Sequence, residues 1–524
     1  MKNKITILAA ALLLMAVASC REESEVLDNY GFNDNLVFQE ADTSFAAKFN
    51  ILWSALDQNY SLWDYEASQG VDWDKVYDTY YPRFKALDGQ YTVPDTVVKA
   101  LMNEAFGVLH DGHLALQMKN HKTGNFITCS PSYLRNADRP DLEIAYNFEP
   151  DLSYYETTNA GENKVTESDN VNTSFSDHLD DVKNAIILKS LDYDEKSLDG
   201  GLTPVDKDRL DSLKMFKKTL DNLVKIAPTL GTGGTIQAFN ELMLRYSYLN
   251  VKGAEIYPAD MANMGINIKY ALLGGNVPYI YIDGFTLTPY LDATVKEKMD
   301  DMLDTSPELK KKADKVKQIW QKWFDKIQEL SAAGTMKGVV IDLRSNGGGI
   351  ADDYQYVLGA LLPSGGHNLM DIRQKSGPGR YDYTPIISQT MKTYEGNHVV
   401  VKEPIAVLAN CKSVSMAELT CLGCQLLDNG KVVGTRTWGG MCGLIDGPEG
   451  YTQTYSSGLG VLNETAVWAY IPILCAFPHG KVLDGIGLTP DIEVTLDSDA
   501  WKEGYGPDSQ LDRALQYIRT GNHE

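Results

Sequence analysis

Two short apolar runs, at 336–343 and 405–409, constrain this chain more than any other feature. Each is far too short to cross a bilayer as a helix. Neither shows the apolar–polar alternation of a strand with one wet face. They read as strands buried on both sides, the kind found in parallel sheets covered by helices. The first is followed by Arg344-Ser345-Asn346-Gly347-Gly348-Gly349, a glycine-rich turn. The second leads through a serine-rich turn into a helical pattern at about 416–427, and 431–433 returns to strand. A strand at 277–282 and a long helix at 307–330, with Ser306 as cap and Pro307 in its first turn, extend the pattern upstream. Repeated strand–helix–strand units define an α/β core, with chemistry expected where the strands end.

The chain upstream of this core has other textures. Lys2 and Lys4 precede an apolar run at 5–17 that is too short for a stable transmembrane anchor, so 1–19 reads as a signal peptide. Val17-Ala18-Ser19-Cys20 resembles a bacterial lipobox, which implies lipidation of Cys20 and a tether over 20–42. Acidic residues at 22, 23 and 25 resemble surface-export signals of some Gram-negative lipoproteins. The expected location is the bacterial cell envelope, lipid-anchored at the outer membrane on its periplasmic or outer face. Phe45, Phe49, Leu52, Trp53, Leu56 and Tyr60 recur at helical spacing after a Thr43 or Ser44 cap, and 95–110 has a second amphipathic face. Residues 43–118 therefore form an N-terminal helical domain. Residues 119–265 form a mixed insert: 151–177 reads as a long polar loop, 210–226 and 236–248 as helices, and Gly231-Thr232-Gly233-Gly234 as a loop between them.

Composition narrows the partners. The 524 residues carry a formal charge of −23, with 43% hydrophobic residues, so a core of ordinary size forms but no basic face is available. A nucleic-acid backbone or an anionic membrane surface is thereby disfavoured as a ligand, leaving the lipid as the membrane contact. Cys421 and Cys424 lie three apart in a predicted helix, poorly placed for a disulfide and lacking a second zinc-spaced pair. His110 and His113 lack an acidic third ligand at helical spacing, so neither pair implies a metal. No cofactor is expected.

The turn Asn410-Cys411-Lys412-Ser413-Val414-Ser415-Met416-Ala417-Glu418 carries the strongest chemical signal. Ser415 falls at a helix N-terminus, where unpaired N–H groups gather positive potential and the Met416 N–H can face an oxyanion. The same four residues, Ser415 to Glu418, also fit a capping box in which the serine only satisfies the helix end. Asn346-Gly347-Gly348-Gly349 reads either as a tight turn or as a second oxyanion wall, with Gly347 and Gly348 amides as donors. Asp342 and Arg344 read as structural polar contacts beside the strand.

Together these segments resemble the tail-specific (C-terminal processing) serine peptidases and their tricorn-protease relatives. The resemblance runs through 338–349, the turn at 413–418, Val433-Gly434-Thr435-Arg436-Thr437-Trp438-Gly439-Gly440, Gly485-Ile486-Gly487-Leu488-Thr489-Pro490-Asp491-Ile492 and a closing helix at 508–515. Asp111-Gly112-His113 adds a further motif, and 119–265 matches none. The resemblance implies a ClpP/crotonase-like core of ββα units over 266–500, followed by a C-terminal helix and tail over 501–524. It also implies peptide hydrolysis through an acyl-enzyme on a polypeptide substrate. The tail-specific branch uses a Ser–Lys dyad, but Gly440 stands where that lysine would be, and Lys431 lies too early in the returning strand to replace it. The tricorn-like branch draws a histidine from its helical domain. That pattern implies Ser415 as nucleophile, His113 as base and Asp484, where the family has the longer glutamate, as the group that orients the imidazole. His110, one turn earlier, is the competing base. No PDZ domain is evident, so C-terminal specificity does not transfer. Two rivals use the same scaffold: a non-catalytic ligand- or peptide-binding lipoprotein, and acyl-CoA chemistry, which an exported chain disfavours.

Overall fold

The computed structural model describes residues 44–146, 148–173, 175–198, 201–251, 265–296, 307–377, 379–394, 396, 398–443, 467–497 and 506–522. The expected signal peptide, Cys20, the tether and the Ser306 cap lie outside these residues.

Four helices open the described chain: α1 (Phe45–Asn59), α2 (Trp63–Ser68), α3 (Trp73–Asp88) and α4 (Asp95–Phe106). The Ser44 side chain accepts from the Ala47 N–H and starts α1. Phe45, Phe49, Leu52, Leu56 and Tyr60 are all buried, as the helical spacing requires. Trp53 stays half-exposed, and stacks on Trp73 at 5.9 Å between ring centroids. After α4, the chain enters β1 (Ala115–Lys119) and β2 (Phe126–Cys129).

The insert departs from expectation in two places. The segment read as a polar loop contains β3 (Val165–Asn172), the edge strand of the main sheet. Its residues alternate between half-buried and exposed, so one face is solvated and a polar sequence is tolerated. Lysines hold the half-buried face: Lys315 meets Asp169 at 2.5 Å and Lys322 meets Glu167 at 3.0 Å. The second departure follows α5 (Phe175–Leu198). Helix α6 (Pro204–Tyr246) runs unbroken through Gly231-Thr232-Gly233-Gly234, read from sequence as a loop between two helices. Glycine inside a helix costs about 1 kcal/mol relative to alanine. The flanks outweigh that cost, since Leu213, Phe216 and Leu220 on one side and Phe239, Leu242 and Met243 on the other are buried in one core.

The core then follows the sequence closely. Strands β4 (Asn267–Leu273) and β5 (Val277–Ile282) form a hairpin, and α7 (Pro307–Ala333) completes a ββα unit. Beyond β6 (Val339–Asp342), β7 (His367–Gln374) and β8 (Ile387–Met391) branch into a side sheet. Next come β9 (Ile405–Ala409), α8 (Met416–Gln425) and β10 (Gly430–Gly434), and the chain closes with β11 (Val467–Tyr470), β12 (Leu474–Phe477), β13 (Ile492–Glu493) and α9 (Ser509–Thr520). The main sheet has the order β13-β10-β9-β6-β5-β4-β3. Its run from β13 to β5 is parallel, and β4 and β3 are antiparallel additions. One face packs on α7 and α8 and the other on α9, so β5, β6 and β9 are buried along their whole length.

Two features hold the N-terminal helices against this core. Strand β1 is the centre of a three-stranded sheet, paired with β2 and, from Ala115 to Met118, with Tyr470 to Val467 of β11. The apolar cluster under α1–α4 also takes in Cys442, Val467, Ala469, Ile471 and Cys475. Beneath the sheet, the Arg344 guanidinium is fully buried between Asp342 (2.6 Å) and Asp508 (2.7 Å), with Phe148 4.3 Å from its carbon. The structural role read for Asp342 and Arg344 is the one they have.

Candidate active site

Where β6 and β9 end side by side, their two turns are laced together. The Asn410 side chain accepts from the Ser345 N–H at 2.9 Å and donates to its hydroxyl at 3.0 Å. The Ser413 hydroxyl donates to the Leu343 carbonyl, and the Val414 N–H to the Asn346 carbonyl. Parallel neighbours in a sheet finish at the same level, and this lacing converts that into one rigid ledge.

Ser415 stands on the ledge at the N-cap of α8, with φ 57° and ψ −116°. A non-glycine residue held there stores about 1–3 kcal/mol of strain. A helix cap of ordinary extended geometry carries no such cost, so the turn does more than end a helix. Glu418 supplies half of the capping box, accepting from the Ser415 N–H at 3.1 Å. It also reaches further. Its fully buried carboxylate accepts from the Thr437 hydroxyl, the Gly439 N–H at 2.8 Å and the Gly440 N–H at 2.7 Å. Burial pushes its pKa up to about 7, against the pull of these donors. The sequence showed Glu418 only as a capping partner. Its link to 437–440 depends on a loop brought in by tertiary structure.

His113 arrives from the opposite direction, in the loop between α4 and β1. Asp111 shapes that loop: its Oδ1 accepts from the N–H groups of His113 (2.6 Å) and Leu114 (2.7 Å). Trp438 straddles the two halves of the site, its indole N–H donating to the Gly112 carbonyl and its backbone N–H to the Ser413 carbonyl. Gly440 lies between them as well. A Cβ at this position would fall 3.2 Å from Val414 Cγ1 and 3.4 Å from His113 Cε1. His113 and Ser415 are thus brought to one region, each in contact with the 437–440 loop or bonded through it. The competing base, His110, is committed elsewhere, with its Nδ1 2.7 Å from Glu66 Oε2.

Asp484 is fully buried in the same region, accepting from the Met441 N–H (3.1 Å) and the Cys442 N–H (3.0 Å). Donor atoms of Asp111, His113 and Asp484 all lie within 4.8 Å of one another. Burial lowers the His113 pKa to about 4 and raises that of Asp484 to about 6. Burial, and then the neighbouring Asp484, hold Asp111 well above the usual carboxylate range. His113 Nδ1 and Asp111 Oδ2 are buried atoms with no hydrogen-bond partner among the described residues.

The three expected oxyanion donors are placed differently. Gly348 packs directly on the nucleophile turn: a Cβ there would lie 2.6 Å from Ser415 Cβ and 3.2 Å from the Met416 nitrogen. Its N–H, however, donates to Asn346 Oδ1 at 2.8 Å, and the Gly347 N–H donates to the Asp283 carbonyl at 3.3 Å. The Met416 N–H has no acceptor among the described residues. Cys421 and Cys424 are buried free thiols in α8.

The part of the chain that builds this ledge is similar to known peptidase domains. Residues 298–494 match Peptidase family S41. A carboxy-terminal-processing protease of Bartonella bacilliformis is 28% identical over 168 residues, covering 32% of this chain and 33% of that protease. The match therefore spans a third of the relative's length. Among solved structures, a protein of Parabacteroides merdae described as a candidate peptidase aligns over 91% of this chain and 96% of its own, with 15% identity and a TM-score of 0.48. Mature CPAF aligns over the same shares with 12% identity and a TM-score of 0.42.

Proposed function

We propose that the chain is a serine endopeptidase that hydrolyses peptide bonds of a polypeptide substrate through an acyl-enzyme. The observation that carries this reading is the strained Ser415 at the strand–helix junction, tied through Glu418 to the loop that packs on His113. Ser415 Oγ attacks the carbonyl carbon while His113 takes its proton. The imidazolium then protonates the leaving amine, and water, deprotonated by His113, releases the acyl group. At neutral pH burial keeps the imidazole uncharged, the form that accepts a proton. Asp484 orients the ring, and the separation of under 4.8 Å closes to a hydrogen bond by a small ring rotation. Catalytic hydrogen bonds commonly tighten only once substrate is bound. Met416 supplies the first oxyanion donor, and Gly348 the second after exchanging Asn346 Oδ1 for the substrate oxygen.

The family match supports peptidase chemistry, and the lipobox-like Cys20 supports an envelope-held, lipid-anchored enzyme. None of the helices searched among the described residues is long and apolar enough to cross a membrane. A fluorophosphonate probe on the purified chain tests the assignment. Labelling should be lost in Ser415→Ala and reduced at least ~100-fold in His113→Ala, in line with removal of a general base. Labelling that persists in Ser415→Ala removes the nucleophile. A folded wild type that neither labels nor cleaves unstructured polypeptide supports the binding-protein rival.

A further inference from the structure

We propose that Asp111, His113 and Asp484 form a binding site for a divalent transition-metal cation, zinc by its donor chemistry, and that the bound ion switches the peptidase off by holding the imidazole. The inhibitory half of this statement rests on the peptidase reading. The binding half stands on the cluster alone.

The case begins with charge. Asp111 and Asp484 are both fully buried, and a donor atom of each lies within 4.8 Å of the other and of the imidazole. No ion pair among the described residues involves either carboxylate. Two buried carboxylates without a cation are costly, and one divalent ion would neutralise both. The second observation is the orphaned atoms. Asp111 Oδ1 is occupied by two backbone N–H groups, whereas Oδ2 has no partner. His113 Nδ1 likewise has none. Buried polar atoms are rarely left so unless something is to occupy the space beside them.

The donor set is one imidazole and two carboxylates, which suits zinc with a water as fourth ligand. Zinc–ligand bonds of about 2.0–2.2 Å place tetrahedral donors roughly 3.4 Å apart. The present spread of at most 4.8 Å needs a contraction of up to about 1.4 Å. Rotation about the side-chain torsions of Asp111 and His113 supplies this without moving the loop. A metal-bound His113 cannot accept the Ser415 proton, since the lone pair that would take it is shared with the ion or turned from the serine. No spacing in the sequence announces this cluster. His110 is in fact paired with Glu66, and Asp484 comes from the far end of the chain.

The test uses full-length Ser415→Ala protein titrated with Co2+, whose visible bands report tetrahedral coordination, followed by displacement with Zn2+. One site is expected. Asp111→Asn and His113→Ala should each weaken it at least tenfold, whereas His110→Ala should not. Asp111→Asn is the decisive variant, because the amide oxygen still accepts the two loop N–H bonds and the loop keeps its shape. In the wild type, zinc should block fluorophosphonate labelling and a chelator should restore it. Absence of the cobalt bands, or a site indifferent to Asp111→Asn, overturns the metal site. Zinc bound at this cluster without loss of labelling overturns the switch. A wild type that never labels, with metal binding intact, defeats the peptidase reading and leaves the metal site standing.

Discussion

Gly440 lies against His113, and the space its missing side chain leaves is bounded by the imidazole Cε1 at 3.4 Å and Val414 Cγ1 at 3.2 Å. The family resemblance puts a lysine at this position in the tail-specific branch. A side chain here would enter the region into which the imidazole comes, so a lysine at 440 and a histidine at 113 are alternative occupants of one volume.

Gly440→Ala checks that relation. Its Cβ would fall 3.2 Å from Val414 Cγ1, which must give by a few tenths of an ångström, and in van der Waals contact with the imidazole, so the ring loses room to turn toward the serine. Labelling should slow about tenfold or more, since small misplacement of a reacting group is expensive. The loss of melting temperature should be small, matching about 1 kcal/mol of overpacking. An unchanged labelling rate would show that the imidazole position does not matter.

Glu418→Gln tests the carboxylate hub. The amide presents N–H groups to a set of donors, leaving at least one buried pair opposed. A cost of about 2–4 kcal/mol follows from unsatisfied buried groups, read as a lower denaturation midpoint. The Ser415 turn should loosen as well, so labelling of the folded fraction should fall. A variant with wild-type stability and labelling would reduce Glu418 to a helix cap.

The pH profile follows from the burial of His113. An imidazole in water titrates near ~6.5, and burial places this one at about 4. The neutral base is therefore present at neutral pH and is lost only as pH falls through the lower value. Labelling of folded protein should decline only in part as Asp484 protonates near 6 and be lost as pH falls toward 4, where the imidazole itself is protonated. A midpoint close to 6.5 would mean that the working imidazole is solvated.

Arg344 offers a stability test away from the site. Arg344→Met leaves Asp342 and Asp508 buried without their shared cation. Breaking such a network costs about 3–5 kcal/mol, and thermal unfolding should report it as a large drop in midpoint. A shift under ~1 kcal/mol would mean that water or another group reaches the two carboxylates.

The parts legible in the sequence were those where local pattern and tertiary role coincide. Strands β5, β6 and β9 are buried throughout, and their unbroken apolar runs announced it. The turn at 413–418 was readable because a strand, a serine and a helix follow within a few residues. Strand β3 was missed because an edge strand with a wet face need not be apolar, and its neighbour's hydrogen bonds define it. Helix α6 was cut in two at its glycines because propensity is local, whereas the core that holds its two ends is not. His113 was reached only through the family resemblance. Glu418 finds its partners in a loop 19 to 22 residues on, and Asp111 meets Asp484 from the far end of the chain, so no local pattern encodes either use.

The pairing of β1 with β11 sets the order in which the proposed site can assemble. A ribosome delivers the 113 loop early and the 415 turn much later, but the strand that clamps the first beside the second emerges only at 467–470, and Asp484 later still. On the proposed reading, a growing chain would hold Ser415 without its partner histidine in place until synthesis is almost finished.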